Sequence, residues 1–199
     1  MTTKQTQDGQ SADWQNLRQL VHERAFEFGH FILTSGKESA YYFDGKQVTL
    51  SPAGAYLFSK LIVEKIKGTG ITAIGGLTIG ADPIVGSVGN AAYEAGLADL
   101  KLFIVRKEPK KHGKCKFIEG PELVGTDRVA IIDDVITTGG SIMKAVEQVE
   151  ALGGKVVKVI ALVDRQEGGT EMLQAKGIDV DPVFVIGDFI QANETAHVY

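Results

Sequence analysis

A single cysteine, Cys115, stands in 199 residues, so no disulfide forms within the chain. No apolar run approaches the roughly 18 residues that a membrane-spanning helix needs. The opening segment, residues 1 to 13, is polar rather than an apolar signal region, and a cytoplasmic protein with no membrane partner is expected. The four histidines, at 22, 30, 112 and 197, show no metal-ligand spacing, which argues against a structural zinc site. A Gly-x-x-x-x-Gly-Lys-Ser/Thr loop is also missing, so nothing here is built to neutralise a nucleotide triphosphate.

What is present suits one globular domain: 44% of the residues are hydrophobic, enough for a full core. Residues 1–12, polar and rich in Thr and Gln, are expected to be disordered, leaving 13–199 as the domain. The net charge of −4 conceals an asymmetry. Between Lys101 and Lys116 seven basic residues face Glu108 alone, a local +6 that leaves −10 on the remainder. Focusing of that kind on an acidic protein points to a small polyanion rather than to nucleic acid.

Trp14, Leu17, Leu20, Val21 and Phe28 make a helical stripe, and 31–44 reads as a strand, a Ser-Gly turn and a second strand. This piece is expected to form a hood, over about 13–50, with the C-terminal end. Ser51-Pro52 starts a helix that runs to Gly68. Strands then follow at 71–75, 102–105, 129–132, 156–163 and, at an edge, 183–186, with helices from Asp82-Pro83 to Ala95 and over 172–176. That alternation predicts an α/β fold with an open, mostly parallel sheet flanked by helices. Residues 107–127 form the longest stretch without periodicity and carry most of the basic cluster.

The most informative segment is 129–141, Val-Ala-Ile-Ile-Asp-Asp-Val-Ile-Thr-Thr-Gly-Gly-Ser. Four apolar residues suit a buried strand, and Met143, Val146, Val149 and Leu152 recur at the spacing of one helix face. The small-residue loop between them places backbone N–H groups and hydroxyls at a helix N-terminus, where unpaired donors and the helix dipole favour a phosphate. Two carboxylates beside a phosphate make sense if they grip something else, such as sugar hydroxyls or a divalent cation. A phosphorylated sugar is the implied ligand; an ordinary capped loop is the alternative.

The segment resembles the phosphoribosyl diphosphate (PRPP) motif of the type I phosphoribosyltransferases. Three further stretches narrow the likeness to the orotate phosphoribosyltransferase family: residues 31–44, the basic Arg106-Lys107-Glu108-Pro109-Lys110-Lys111-His112-Gly113, and Asp164-Arg165-Gln166-Glu167. The resemblance implies that family's fold, and transfer of the phosphoribosyl group of PRPP to orotate, giving orotidine 5'-monophosphate and pyrophosphate. It implies Mg2+ carried on substrate oxygens, with no direct protein ligand assigned. It also implies a homodimer in which the basic loop serves the neighbouring subunit's site.

Residue by residue, the resemblance gives Asp133 and Asp134 the ribose hydroxyls and the electrostatic stabilisation of the sugar cation. Thr137, Thr138, Gly139, Gly140 and Ser141 would hold the 5'-phosphate, with Thr138 also near the base. Lys110 and His112 would stabilise departing pyrophosphate, supported by Arg106, Lys107 and Lys111; a solvated charged loop is the plain alternative. Arg165 offers a two-pronged contact to orotate or, equally, a surface ion pair with Asp164 or Glu167. Tyr42 and Phe43 match positions that line the base pocket. The chain departs from some family members in having Thr34 before Ser-Gly and Thr78-Ile79-Gly80-Ala81-Asp82 in the pyrophosphate loop, where those members carry lysines. Fewer fixed cations therefore face pyrophosphate. A phosphoribosyltransferase for another base, and a PRPP-sensing regulator of the same fold, stay open as rivals.

Overall fold

The computed structural model describes residues 10–32, 38–109 and 117–194. Chain order is α1 Ala12–Arg24, β1 Phe26–Ile32, β2 Glu38–Phe43, α2 Lys46–Thr49, α3 Pro52–Ile66, β3 Ala73–Leu77, α4 Asp82–Glu94, β4 Lys101–Val105, β5 Ile118–Glu119, β6 Arg128–Ile136, α5 Gly140–Glu150, β7 Lys155–Asp164, α6 Gly169–Gln174, β8 Asp179–Val180, β9 Phe184–Val185 and α7 Gly187–Glu194. The main sheet is ordered β5-β4-β3-β6-β7-β8, with β9 also pairing β7. All its pairings are parallel except β4 with β5. This is the open, mostly parallel α/β sheet that the alternating pattern predicts.

Along β6 and β7 successive residues feed opposite layers, as the two-residue period of a strand requires. Ala130, Ile132, Ile160 and Leu162 join the core made with α1, α3, α4 and α7. Val129, Ile131, Val159 and Ala161 join the core made with α5 and α6. Both faces are covered, which explains why these strands read as unbroken apolar runs. After β4 the chain returns across β3 to form β6 on its other side, so α4 and α5 lie against opposite faces. The order of strands therefore reverses between β3 and β6, and crevices for ligands open at the carboxyl ends of strands at such points.

β1 and β2 form a separate antiparallel pair. Phe26 at its base packs on Phe43 (5.1 Å between ring centroids) and on Phe189 of α7 (5.0 Å). Arg18 donates to the Asp188 carbonyl at 2.5 Å, and the Trp14 indole to that of Val183 at 3.3 Å. α1, the hairpin and α7 thus pack together.

Several expectations shift. Phe28 lies on β1, half exposed, rather than on the α1 stripe. Ser11 caps α1, its hydroxyl accepting from Trp14 N–H at 3.2 Å, so the helix begins at Ala12. β3 sits two residues later than the apolar pattern indicated, and α5 ends at Glu150, leaving Leu152 exposed. The stretch 107–127 contains β5, paired antiparallel to β4. α2, β8 and α7 are additional elements, each too short or too weakly periodic to stand out in the sequence.

Candidate functional site

β6 runs four residues further than its apolar stretch, so Asp133 and Asp134 lie inside the strand instead of just after it. Pairing with β3 stops at Gly75–Ile131, whereas pairing with β7 continues to Ile136–Asp164. The two acids therefore flank the opening between β3 and β6, and strand alternation turns their side chains toward opposite layers. Asp133 accepts from the Ser141 hydroxyl and the Asp134 N–H, each at 3.0 Å. Asp134 faces the hood, where Lys46 Nζ stands 3.0 Å from its Oδ2. The turn after β3 closes over both: a Cβ on Gly80 would fall 2.4 Å from Asp133 Oδ1 and 2.8 Å from Asp134 Oδ1. Only a glycine fits there.

Both carboxylates are buried. Burial, followed by the charge and hydrogen bonding of Asp134, pushes Asp133 up to about 7, against the opposing pull of the Ser141 hydroxyl and the Asp134 N–H. Burial works to lower Lys46, but hydrogen bonding and charge from Asp134, then Asp44, hold it above the ordinary lysine value. The sequence reading missed Lys46. It lies 88 positions from Asp134, outside the reach of any local pattern.

The loop 137–141 crosses from β6 into α5. Gly139 takes φ +79° as the N-cap, the left-handed region that glycine enters without a Cβ penalty. Among the described residues no side chain caps this helix, so its first N–H groups remain open to an anion. Thr138, Gly140 and Ser141 are exposed, and Thr137 is half-buried. Gly169 supports the loop from below by donating to the Thr137 carbonyl at 2.9 Å; a Cβ there would collide with that carbonyl at 2.4 Å. The Ser141 hydroxyl, expected at the phosphate, donates to Asp133 and ties the phosphate loop to the acidic pair.

On the far side, Arg165 N–H donates to the Ile136 carbonyl at 2.9 Å, seating this residue beside the same loop. Its guanidinium pairs with Glu167 at 2.9 Å and lies 5.6 Å from the centre of the Tyr41 ring. The Nε is buried with no hydrogen-bond partner among the described residues. Asp164 is occupied otherwise, accepting from Gln166 N–H and the Thr170 hydroxyl. The hood aromatics divide by strand alternation: Phe43 is buried against Phe26, Tyr42 is exposed beside Phe31, and Tyr41 meets Arg165. Of the three, Tyr41 is the one that reaches the arginine.

At the end of β4, Arg106 pairs with Glu119 of β5 at 3.3 Å, and Lys107 is exposed. Val105 accepts from Thr78 N–H at 2.8 Å, which brings this strand end to the turn over the acids. In that turn the Thr78 hydroxyl donates to Asp82 Oδ2 at 2.7 Å, while Asp82 Oδ1 is buried with no hydrogen-bond partner among the described residues. Lys101, counted in the basic cluster, belongs elsewhere: it begins β4 and pairs with Asp127 at 2.8 Å, at the opposite end of the strands. Lys110, Lys111 and His112 lie outside the described residues. Among the described residues no helix is long and apolar enough to cross a membrane.

Residues 47–187 match the phosphoribosyl transferase domain family. The chain is 44% identical over 178 residues to an orotate phosphoribosyltransferase of Synechocystis sp., covering 89% of this chain and 88% of that protein. It is 38% identical over 178 residues to the orotate phosphoribosyltransferase of Pyrococcus furiosus, covering 88% and 94%. Among solved structures, the orotate phosphoribosyltransferase of Mycobacterium tuberculosis in complex with PRPP superposes with a TM-score of 0.75 at 33% identity, covering 89% of this chain and 98% of that one.

Proposed function

Because this chain belongs to the orotate phosphoribosyltransferases of the phosphoribosyl transferase domain family, we propose that it moves the phosphoribosyl group of PRPP to a ring nitrogen of orotate. The C1–oxygen bond to pyrophosphate breaks, a C1–nitrogen bond forms in place of the ring N–H, whose proton is released, and orotidine 5'-monophosphate and pyrophosphate leave. This is a pentosyl transfer of pyrimidine nucleotide synthesis. The observation that carries the reading is the uncapped N-terminus of α5 beside two buried carboxylates, at the point where the strand order reverses.

Bond breaking leaves positive charge at C1 and negative charge on pyrophosphate, so useful groups are those aimed at these two centres. Asp133 and Asp134 face the ribose hydroxyls and the developing cation. Thr137, Thr138, Gly139, Gly140 and Ser141 cradle the 5'-phosphate with N–H groups and hydroxyls. Arg165, its buried Nε in need of an acceptor, meets the anionic edge of orotate, with Tyr41 behind it and Tyr42 and Thr138 at the rim. Phe43 supports this wall from the core.

Magnesium fits the donor set: the orphaned Asp82 Oδ1 beside the Gly80 turn is a hard oxygen suited to the water shell of an ion held by substrate oxygens. When bound, that ion supplies positive charge to the pyrophosphate. Lys110 and His112, assisted by Arg106, Lys107 and Lys111, stabilise the same leaving group from a loop that closes over it and excludes water. In this reading the loop comes from the partner of a homodimer.

The test follows orotate's ultraviolet absorbance after mixing with PRPP, Mg2+ and protein, beside parallel assays with uracil and purines. Loss of absorbance with orotate alone is expected. Turnover of a purine and none of orotate overturns the choice of base, and salt-dependent binding to DNA or RNA without any turnover favours a regulator.

A further inference from the structure

We propose that Lys46 is a positioning residue for the transfer: from the hood it holds one oxygen of Asp134 so that the other stays beside Asp133 at the sugar. The inference rests on the reading of the two acids as ribose ligands. It supplies a fixed cation to the acidic pair.

The oxygens of Asp134 are divided between two neighbours. Oδ2 takes Lys46 Nζ at 3.0 Å, and Oδ1 turns to the Gly80 position, which it shares with Asp133 Oδ1. The lysine is itself braced. Asp44 Oδ1 lies 3.3 Å from Nζ and accepts from Lys46 N–H at 3.1 Å, while the Gln47 amide holds Asp44 Oδ2 at 3.2 Å. α2, which carries the lysine, is anchored by buried Val48 and Thr49. The preceding Gly45 allows the close approach, since a Cβ there would stand 3.1 Å from Asp134 Cβ and 3.2 Å from its Oδ2.

Taking away the ammonium leaves a buried carboxylate without its counter-charge, beside a second carboxylate. Asp134 then rotates, which moves negative charge away from the place where the sugar becomes cationic. A residue that merely pins α2 would alter stability and leave turnover per folded molecule intact.

The decisive experiment is a double-mutant cycle on orotate turnover with Lys46→Met, Asp134→Asn and the pair. Lys46→Met is expected to lower kcat roughly 100-fold, the scale of a misplaced reacting group. In the Asp134→Asn background the same change is expected to alter kcat by no more than about twofold, because the partner through which Lys46 acts is gone. Lys46→Arg, which keeps the charge, is expected to restore most of the rate. Lys46→Gln carries the same cycle if the methionine variant does not fold. Effects that multiply independently, or a Lys46→Met enzyme with a lower melting temperature and unchanged kcat, overturn the inference while wild-type turnover upholds the function. A wild-type protein that does not consume orotate overturns the functional reading, and this inference with it.

Discussion

Asp133 binds its proton more tightly in the folded protein than in the unfolded chain, where the ordinary value is 3.8 and the folded one about 7. Between these values the native state carries the extra proton, so stability falls as pH rises from about 4 to about 7 and levels off above. Asp133→Asn removes this cost. The variant is expected to melt at the same temperature as wild type near pH 4 and higher at pH 8, by about 2–4 °C for each kcal/mol recovered. It is also expected to lose most of its turnover, since a site that destabilises the empty protein is retained for what it does to substrate. With wild type, kcat/KM for PRPP should rise with pH through about 7, as Asp133 loses its proton and becomes able to accept from sugar hydroxyls. A flat profile across pH 5–9, or an Asp133→Asn enzyme no more stable at pH 8, contradicts this account.

The elements that carry the site are held at their other end by a polar knot. Asp127, buried just before β6, accepts from Lys101 Nζ of β4 at 2.8 Å, from the Thr72 hydroxyl ahead of β3 at 2.9 Å, and from Val124 N–H at 2.7 Å. Burial acts to raise its pKa, yet Lys101 and the two other donors hold it below the usual carboxylate value. Its contribution is therefore present above that usual value and is lost as pH falls through the depressed one. Asp127→Ala leaves Lys101 without this partner and is expected to cost roughly 3–5 kcal/mol, read as a lower urea midpoint. Because the knot and the acids occupy opposite ends of the strands, turnover per folded molecule should be preserved. A large fall in kcat with an unchanged midpoint would sink this division of labour.

At the scale of the whole molecule, the proposed reaction draws on charges at the carboxyl end of the sheet and, in the homodimer proposed above, on a loop from the second subunit. That arrangement is tested by complementation. Lys110→Ala and Asp134→Asn proteins, each nearly inactive alone, are mixed and allowed to exchange subunits. Half of the dimers then become mixed, and one of their two sites has a normal loop and normal acids, so roughly a quarter of wild-type activity should return. Recovery is absent if each chain's loop closes on its own acids.

Local order of residues was enough for much of this. The loop 137–141 was legible because an apolar run, two acids and a glycine pair follow one another within a strand-turn-helix, whose contacts are short in sequence. The parallel sheet was legible because strands buried on both faces leave continuous apolar runs. Lys101 and Arg106 shared one charge cluster in the sequence, but a strand of five residues sends them to opposite ends of the sheet. Which hood aromatic meets Arg165 depended on the strand's exact phase, and the answer was Tyr41. The chain order alone determined that a small-residue loop opens a helix with two acids just before it. Only the tertiary structure decided that Lys46, through an ion pair spanning 88 positions, shares the charge of those acids, because burial and geometry between distant segments leave no periodic trace in the sequence.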